Sequence, residues 1–341
     1  MSEVHLFSPI QLRDVVARNR LWVSPMCEYS VWAEDGVPND WHMVHYGSRA
    51  VGGAGLILVE ATGVEPHGRI SAHCLGLWND TQAEAMARIV RFMVEQGAVP
   101  AIQLAHAGRK STLPGSIGPS AVAFSSDYAV PNPLTADEIG GVVRAFRGAA
   151  VRALEAGFRV AEVHSAHGYL LHEFLSPLSN RRTDAYGGSF ENRVRLHLEV
   201  VRAVREVWPE RLPLFVRISA TDWKPGGWDA DQSVALARLL VREGVDLVDV
   251  SSGGVSTGEP IPVAPGYQVP FAERIRREAG IATAAVGRIS DARHADAIVR
   301  EGRADAVFTG LQSLRDPYWP MRASRELGHA MPPPVSYARA W

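Results

Sequence analysis

The stretch Arg159-Val160-Ala161-Glu162-Val163-His164-Ser165-Ala166-His167-Gly168-Tyr169 sets the reading of this chain. Its first five residues read as a short buried strand, and the Leu/His/Phe segment that follows reads as a helix. Two imidazoles and a phenol therefore sit where a strand hands over to a loop. Imidazole N–H groups donate hydrogen bonds to a carbonyl oxygen, and a phenol supplies a proton nearby. That set suits a reaction in which negative charge builds on an oxygen conjugated to carbon. A metal-binding pair or two satisfied core histidines are the structural alternatives.

Similar strand-to-loop units recur on both sides of this one. Short apolar runs stand at Leu21 to Ser24, Gly55 to Glu60, Pro100 to Leu104 and Arg159 to Val163, and again at Pro213 to Ile218, Val245 to Val250, Ile281 to Val286 and Asp305 to Thr309. Near-continuous apolar strands are what a parallel sheet covered by helices requires. The stretches between them, such as Thr81 to Gln96 and Ala136 to Ala156, are apolar at helical spacing, and Gly97, Gly157 and Gly244 stand where a helix is closed by a left-handed residue. Eight such units predict an α/β fold, a (β/α)8 TIM barrel spanning residues 1–341. A doubly wound open sheet is the rival, but it does not call for eight regular repeats.

Bulk properties narrow the function classes. Hydrophobic residues make up 46% and charged residues 21% of the chain, as in ordinary globular proteins. A net charge of −2 and the lack of any Lys/Arg-rich block argue against nucleic-acid and membrane-surface partners. No apolar run is long enough to span a bilayer. Met1-Ser2-Glu3-Val4-His5 lacks the charged start and apolar core of a secretory signal. The two cysteines, Cys27 and Cys74, form no Cys-x-x-Cys pair, which fits a reducing cytoplasm and leaves an iron–sulfur or zinc centre without ligands.

In a barrel, chemistry belongs at the C-terminal ends of the strands. Read in order, those ends carry Ser24-Pro25-Met26-Cys27 with Tyr29, then Glu60-Ala61-Thr62, then Gln103 running into His106-Ala107-Gly108-Arg109-Lys110. His164, His167 and Tyr169 come next, followed by Arg217, Ser251-Ser252-Gly253-Gly254, Gly287-Arg288 and Gly310. Small residues after the last two strands suit a phosphate site, because backbone N–H groups approach an anion closely there.

These residues resemble the thermophilic-like branch of the Old Yellow Enzyme family of FMN-dependent ene-reductases. The resemblance runs from Leu6-Phe7-Ser8-Pro9-Ile10 to Tyr337-Ala338-Arg339-Ala340-Trp341. Its most specific elements are Ser24 to Tyr29, Gln103 to Lys110, His164 to Tyr169 and Ser179 to Ser189. It implies tightly bound, non-covalent FMN, NADPH as hydride donor, and reduction of the C=C bond of α,β-unsaturated carbonyls, imides and nitroalkenes. Ser24, Pro25, Met26, Cys27 and Ala61 would line the flavin, Gln103 would bond its pyrimidine end, and Arg217 would place positive charge beside it. Gly287, Arg288, Gly310 and Leu311 would hold the phosphate. His164 and His167 would grip the substrate oxygen, Tyr169 would protonate the α-carbon, and Tyr29 and Lys110 would touch substrate. A homodimer or homotetramer is implied, in which Arg339 crosses an interface with Trp341 packed beside it. One position departs from the family: arginine is usual after Gly310, and here stands Leu311, so Arg288 is expected to supply the missing charge.

Other readings of single residues are weaker. His42-x-x-His45 lies in a helical stretch and reads as packing. His164 and His167 lack a carboxylate or cysteine spaced to complete a metal site, so no metal is expected. Lys110 as a Schiff-base lysine, Cys27 as a nucleophile and Gly52-Gly53-Ala54-Gly55 as a dinucleotide fingerprint each lack their required context. The alternative functions are a Schiff-base or metal-dependent lyase or hydrolase, and a barrel that only binds ligands.

Overall fold

The structure is a computed structural model and describes residues 4–258 and 260–340. Eight parallel strands close into a barrel in chain order: β1 Leu21–Val23, β2 Leu56–Gly63, β3 Val99–Ala105, β4 Val160–Ser165, β5 Leu214–Ser219, β6 Leu247–Ser251, β7 Ala282–Ala285 and β8 Ala306–Thr309. Closure runs through β8 and β1, where Val307, Phe308 and Thr309 pair with Leu21, Trp22 and Val23. The eight expected runs are the eight strands, with ends shifted by a few residues.

The long outer helices begin where side chains satisfy free N–H groups. Asn39 caps α1 (Asp40–Val51), Asn79 caps α2 (Asp80–Glu95) and Thr135 caps α3 (Ala136–Glu155). Gly97 and Gly157 follow α2 and α3 with φ of +76° and +93°, a conformation costly for other residues. In α4 (Arg195–Val207), Leu196, Val200, Val201 and Val204 make the stripe that packs on the barrel. Further helices are α5 (Ala230–Arg242), α6 (Val269–Ala279), α7 (Ala292–Arg300) and α8 (Trp319–Glu326).

The barrel interior is layered. Trp22 stacks on Phe215 at 5.9 Å and meets Phe308 edge-on at 5.4 Å, which fills the lower layer with aromatic rings. Two residues further along β5 the filling turns polar, with Arg217 beside Asp249 and with Gln103 bonded to Glu162. Such a polar layer is tolerated only where its charges meet partners. It lies directly beneath the rim.

The sequence reading missed both a hairpin and a bulge. An antiparallel hairpin, Ile10–Leu12 with Val15–Ala17, precedes the barrel. In addition, β2 does not end at Glu60. A bulge between Val59 and Ala61 carries it on to Gly63. Glu60 is the extra residue; its carboxylate accepts from the Glu28 N–H and the Tyr46 hydroxyl of α1, while Ala61 pairs with Gln103.

Candidate active site

His164 is the last residue but one of β4, and the loop that follows makes a tight turn. His167 and Gly168 both adopt left-handed backbone, with φ of +60° and +72°. For a histidine this is an uncommon conformation, and it persists only where surrounding contacts enforce it. The enforcing contacts are visible. The His167 N–H donates to Ser219 Oγ at 2.9 Å, and Ser219 Oγ donates to the Gly253 carbonyl at 2.8 Å. Lys110 Nζ donates to the His167 carbonyl at 2.9 Å and to the Gly254 carbonyl at 3.2 Å. Gly168 lies against Gly254 so closely that a Cβ would run into the Gly254 carbonyl.

This turn gathers the three groups singled out in the sequence. The His164 ring centroid lies 5.2 Å from that of His167 and 5.1 Å from that of Tyr169, both edge-on. His164 Nδ1 accepts the Ala166 N–H, which puts its proton on Nε2 and makes that nitrogen a donor. His167 Nε2 lies 2.7 Å from Ser251 Oγ. Burial, reinforced by the Arg217 charge, holds both imidazoles well below the usual histidine range, so they are neutral. Burial, with Cys27 and Tyr29 nearby, pushes the Tyr169 phenol up and keeps it protonated. Neutral N–H donors beside a protonated phenol can polarise a carbonyl and hold a proton ready for carbon.

In the segment after β1, the Cys27 thiol lies close to Tyr29 and to the backbone of Ala61 on β2. Burial, with Glu60 and Cys74 close by, holds the Cys27 thiol well above its ordinary value, the opposite of what a nucleophile needs. Tyr29 has φ of +51° and remains exposed. Ser24 and Met26 pack beside Gly310, and Pro25 is buried between them. Lys110 spends its ammonium on two carbonyls and lies over the rings of Phe124 and Tyr169 at 4.3 and 5.1 Å.

Beyond β7 and β8 a cavity of about 560 Å³ is lined by Gly287, Arg288, Gly310 and Leu311, as well as by Gln312 and Arg315. Gly287 has φ of +129°, which only glycine tolerates, and Arg288 follows with φ of +49°. Arg315 escaped the sequence reading. It stands four residues after Leu311 on the short helix Leu311–Arg315, hence on the same side, and that spacing was the available signal. Ser251, Tyr267 and Gln268 also line this cavity and were not anticipated as a group.

Glu65, His67 and His106 form a further cluster, with His106 Nε2 at 2.8 Å and His67 Nε2 at 3.2 Å from Glu65 Oε1. The Gly108 N–H donates to His106 Nδ1 at 3.0 Å, so Nε2 carries the ring proton and donates to Glu65. A metal at Nε2 would need that proton removed from an imidazole already accepting at Nδ1, which does not fit a cation site.

A profile described as the NADH:flavin oxidoreductase / NADH oxidase family matches residues 5–329. The chain belongs to that family. The NADPH dehydrogenase of Geobacillus thermodenitrificans is 52% identical over 337 residues, covering 98% of each chain. The NADPH dehydrogenase of Bacillus subtilis is 49% identical, covering 98% of this chain and 99% of the relative. Among solved structures, morphinone reductase superposes with a TM-score of 0.82 at 32% identity, covering 98% of this chain and 93% of that one. The barrel and the Old Yellow Enzyme resemblance are thereby borne out, and FMN is the family's flavin.

The residues present fit that group. Arg217 is buried, its Nε lies 3.0 Å from Asp249 Oδ2 without a hydrogen bond, and a buried donor of this kind calls for an acceptor such as a flavin pyrimidine edge. Gln103 gives its Nε2 to Glu162 at 2.7 Å, which leaves its carbonyl oxygen free for an N–H. The glycine-built cavity with Arg288 and Arg315 offers backbone and guanidinium donors to a phosphate. Arg339 stands apart. It is exposed near the chain end, and Trp341 lies outside the described residues.

Proposed function

We propose that this protein is an FMN-dependent ene-reductase that uses NADPH to reduce activated alkenes: α,β-unsaturated carbonyls, imides and nitroalkenes. The observation that carries the reading is the meeting of two neutral imidazoles and a protonated phenol at the end of β4. Bound FMN supplies the two-electron relay between NADPH and the alkene. The overall balance is NADPH, one proton and the alkene giving NADP⁺ and the saturated product.

His164 and His167 hold the carbonyl or nitro oxygen. As the β-carbon gains a hydride, charge grows on that oxygen, and the donors bind it more strongly than in the ground state. Tyr169 gives its proton to the α-carbon and is reprotonated from solvent. Cys27 tunes the flavin edge as a neutral thiol, and Tyr29 and Lys110 shape the substrate pocket. Ser24 to Cys27, Ala61, Gln103 and Arg217 hold the ring system, while Gly287, Arg288, Gly310 and Leu311 surround the phosphate. The protein acts in the cytoplasm as a homodimer or homotetramer, and Arg339 reaches a neighbouring subunit's pocket. No described helix is long and apolar enough to cross a membrane.

The test is an absorption spectrum followed by a double variant. The purified protein should be yellow and bleach under NADPH. Replacing both His164 and His167 by Ala should remove roughly 3–5 kcal/mol of transition-state stabilisation, the scale of oxyanion donors, with flavin content near normal. Unchanged enone reduction by that variant overturns the assignment.

A further inference from the structure

Behind the strained turn lies a buried relay that the reaction as described does not use. His172 is on the short helix Leu170–Leu175, and Asp222 follows β5. The Gly168 N–H donates to His172 Nδ1 at 2.9 Å, and His172 Nε2 lies 2.9 Å from Asp222 Oδ1. Both side chains are fully buried. Asp222 Oδ2 accepts from Ser176 Oγ and from the Trp228 N–H, each at 2.6 Å, so the carboxylate is itself held from two directions.

The donor order in this chain is fixed by chemistry. Gly168 N–H can only donate, so Nδ1 accepts and the imidazole proton is on Nε2, where the carboxylate receives it. A proton on Nδ1 would set two donors against each other. Burial pushes Asp222 up, but His172, the Ser176 hydroxyl and the Trp228 N–H outweigh this and hold it below the usual carboxylate range. The acceptor end of the relay thus stays ionised.

We propose that His172 and Asp222 are positioning residues of the active site, holding Gly168 in its left-handed conformation and so fixing where the Tyr169 hydroxyl stands. The left-handed conformation costs His167 backbone energy that nearby contacts must offset, whereas Gly168 adopts it freely and can as readily leave it unless something holds it. For His167 the offset comes from Lys110 and Ser219, but Gly168 has its own N–H tied down by His172. Releasing that N–H lets the turn relax, and Tyr169, the next residue, moves with it. Proton delivery to carbon is the step most sensitive to such a shift, because it needs hydrogen-bond-scale alignment.

This inference rests on the ene-reductase reading, and the experiment separates the two. His172→Leu removes the acceptor, and His172→Asn restores one, its amide oxygen standing close to the place of Nδ1. Asp222→Asn keeps the shape but turns an NH₂ against either His172 or the Trp228 N–H. Each holoenzyme is assayed with NADPH and two acceptors: an enone, which needs a proton on carbon, and a quinone, which does not. His172→Leu should lose at least tenfold in enone kcat and show a larger solvent deuterium isotope effect, with FMN content and quinone turnover within about twofold of wild type. Asp222→Asn should show the same pattern more weakly, and His172→Asn should recover most of the enone rate. If His172→Leu does not fold, the contrast between His172→Asn and Asp222→Asn carries the test. Wild-type enone kcat in His172→Leu, or in Asp222→Asn where His172→Leu does not fold, overturns the proposal, as does equal loss with enone and quinone. A wild-type protein that reduces quinone but no enone overturns the ene-reductase reading, and the positioning role falls with it.

Discussion

Arg217 Nε and Asp249 Oδ2 lie 3.0 Å apart inside the barrel, on strand positions paired across β5 and β6. Neither carboxylate oxygen of Asp249 has a hydrogen-bond partner, so the arginine is its compensation. In the proposed site the same guanidinium faces the flavin pyrimidine edge, and a paired carboxylate offsets part of its field. Asp249→Asn should therefore raise the midpoint potential of bound FMN, since the reduced flavin is the more negative state. Each tenfold change in that two-electron equilibrium corresponds to about 30 mV. A potentiometric titration giving an unchanged or lower value refutes the coupling.

Cys27 is held as a neutral thiol, and its expected task is tuning. Cys27→Ala should keep turnover, shift the flavin potential and alter the ranking of alkene substrates. The wild-type thiol should also react sluggishly with iodoacetamide near neutral pH. Complete loss of turnover with FMN still bound would point to covalent chemistry instead.

Arg288 and Arg315 line the same cavity as Leu311, and in the proposed phosphate site they supply the charge that Leu311 lacks. Arg288→Ala should weaken FMN binding by about 2–3 kcal/mol, the scale of hydrogen bonds to charged groups, and Leu311→Arg in that background should restore much of it. Arg315→Ala is expected to weaken FMN in the same direction. Dissociation constants from flavin fluorescence decide the matter: wild-type affinity in Arg288→Ala ends the idea of a relocated charge.

The chain end is predicted to work in trans. Val335 and Tyr337 are exposed at 94% and 44%, a large apolar display for a terminal segment, and Arg339 is exposed beside them. Deleting residues 337–341 should raise KM for the alkene and weaken the proposed homodimer or homotetramer together. Sedimentation showing the truncated and full-length chains in the same oligomeric state, with normal kinetics, would count against a shared site.

His197 is fully buried in α4 with no partner on either ring nitrogen, and burial pulls its pKa down to about 3. Between that value and the unfolded value of 6.5 the unfolded chain binds a proton that the fold refuses. Stability from this group is complete above about pH 6.5 and declines as pH falls, by about 1.4 kcal/mol per pH unit. His197→Leu should consequently stabilise the protein more at pH 5.5 than at pH 7.5. Urea midpoints at the two pH values test this, and an equal gain at both excludes a titration effect.

Sequence alone determined the barrel. Eight apolar runs, each alternating with an amphipathic helix, have few ways to bury their faces, and a closed parallel sheet is the one that covers all of them. Placement of the rim residues followed, because a strand's end fixes which side of the barrel its last side chain faces. His164, His167 and Tyr169 were legible for that reason, as were Gly287 and Gly310. The bulge at Glu60 was not, since a glutamate closing an apolar run reads as the strand's exit, and the extra residue shows only in the pairing with β3.

Tertiary structure alone decided what supports those residues. His172 and Asp222 are fifty positions apart and meet only because β4 and β5 are neighbours. The Arg217–Asp249 pair arises the same way, from register across two strands. Arg315 gains its place from a helix turn that aims it into the cavity. Protonation states belong to this second group as well. A histidine or cysteine in a sequence carries its ordinary pKa, and only burial and the charges the fold gathers around it make His164 and His167 neutral donors and keep Cys27 a thiol.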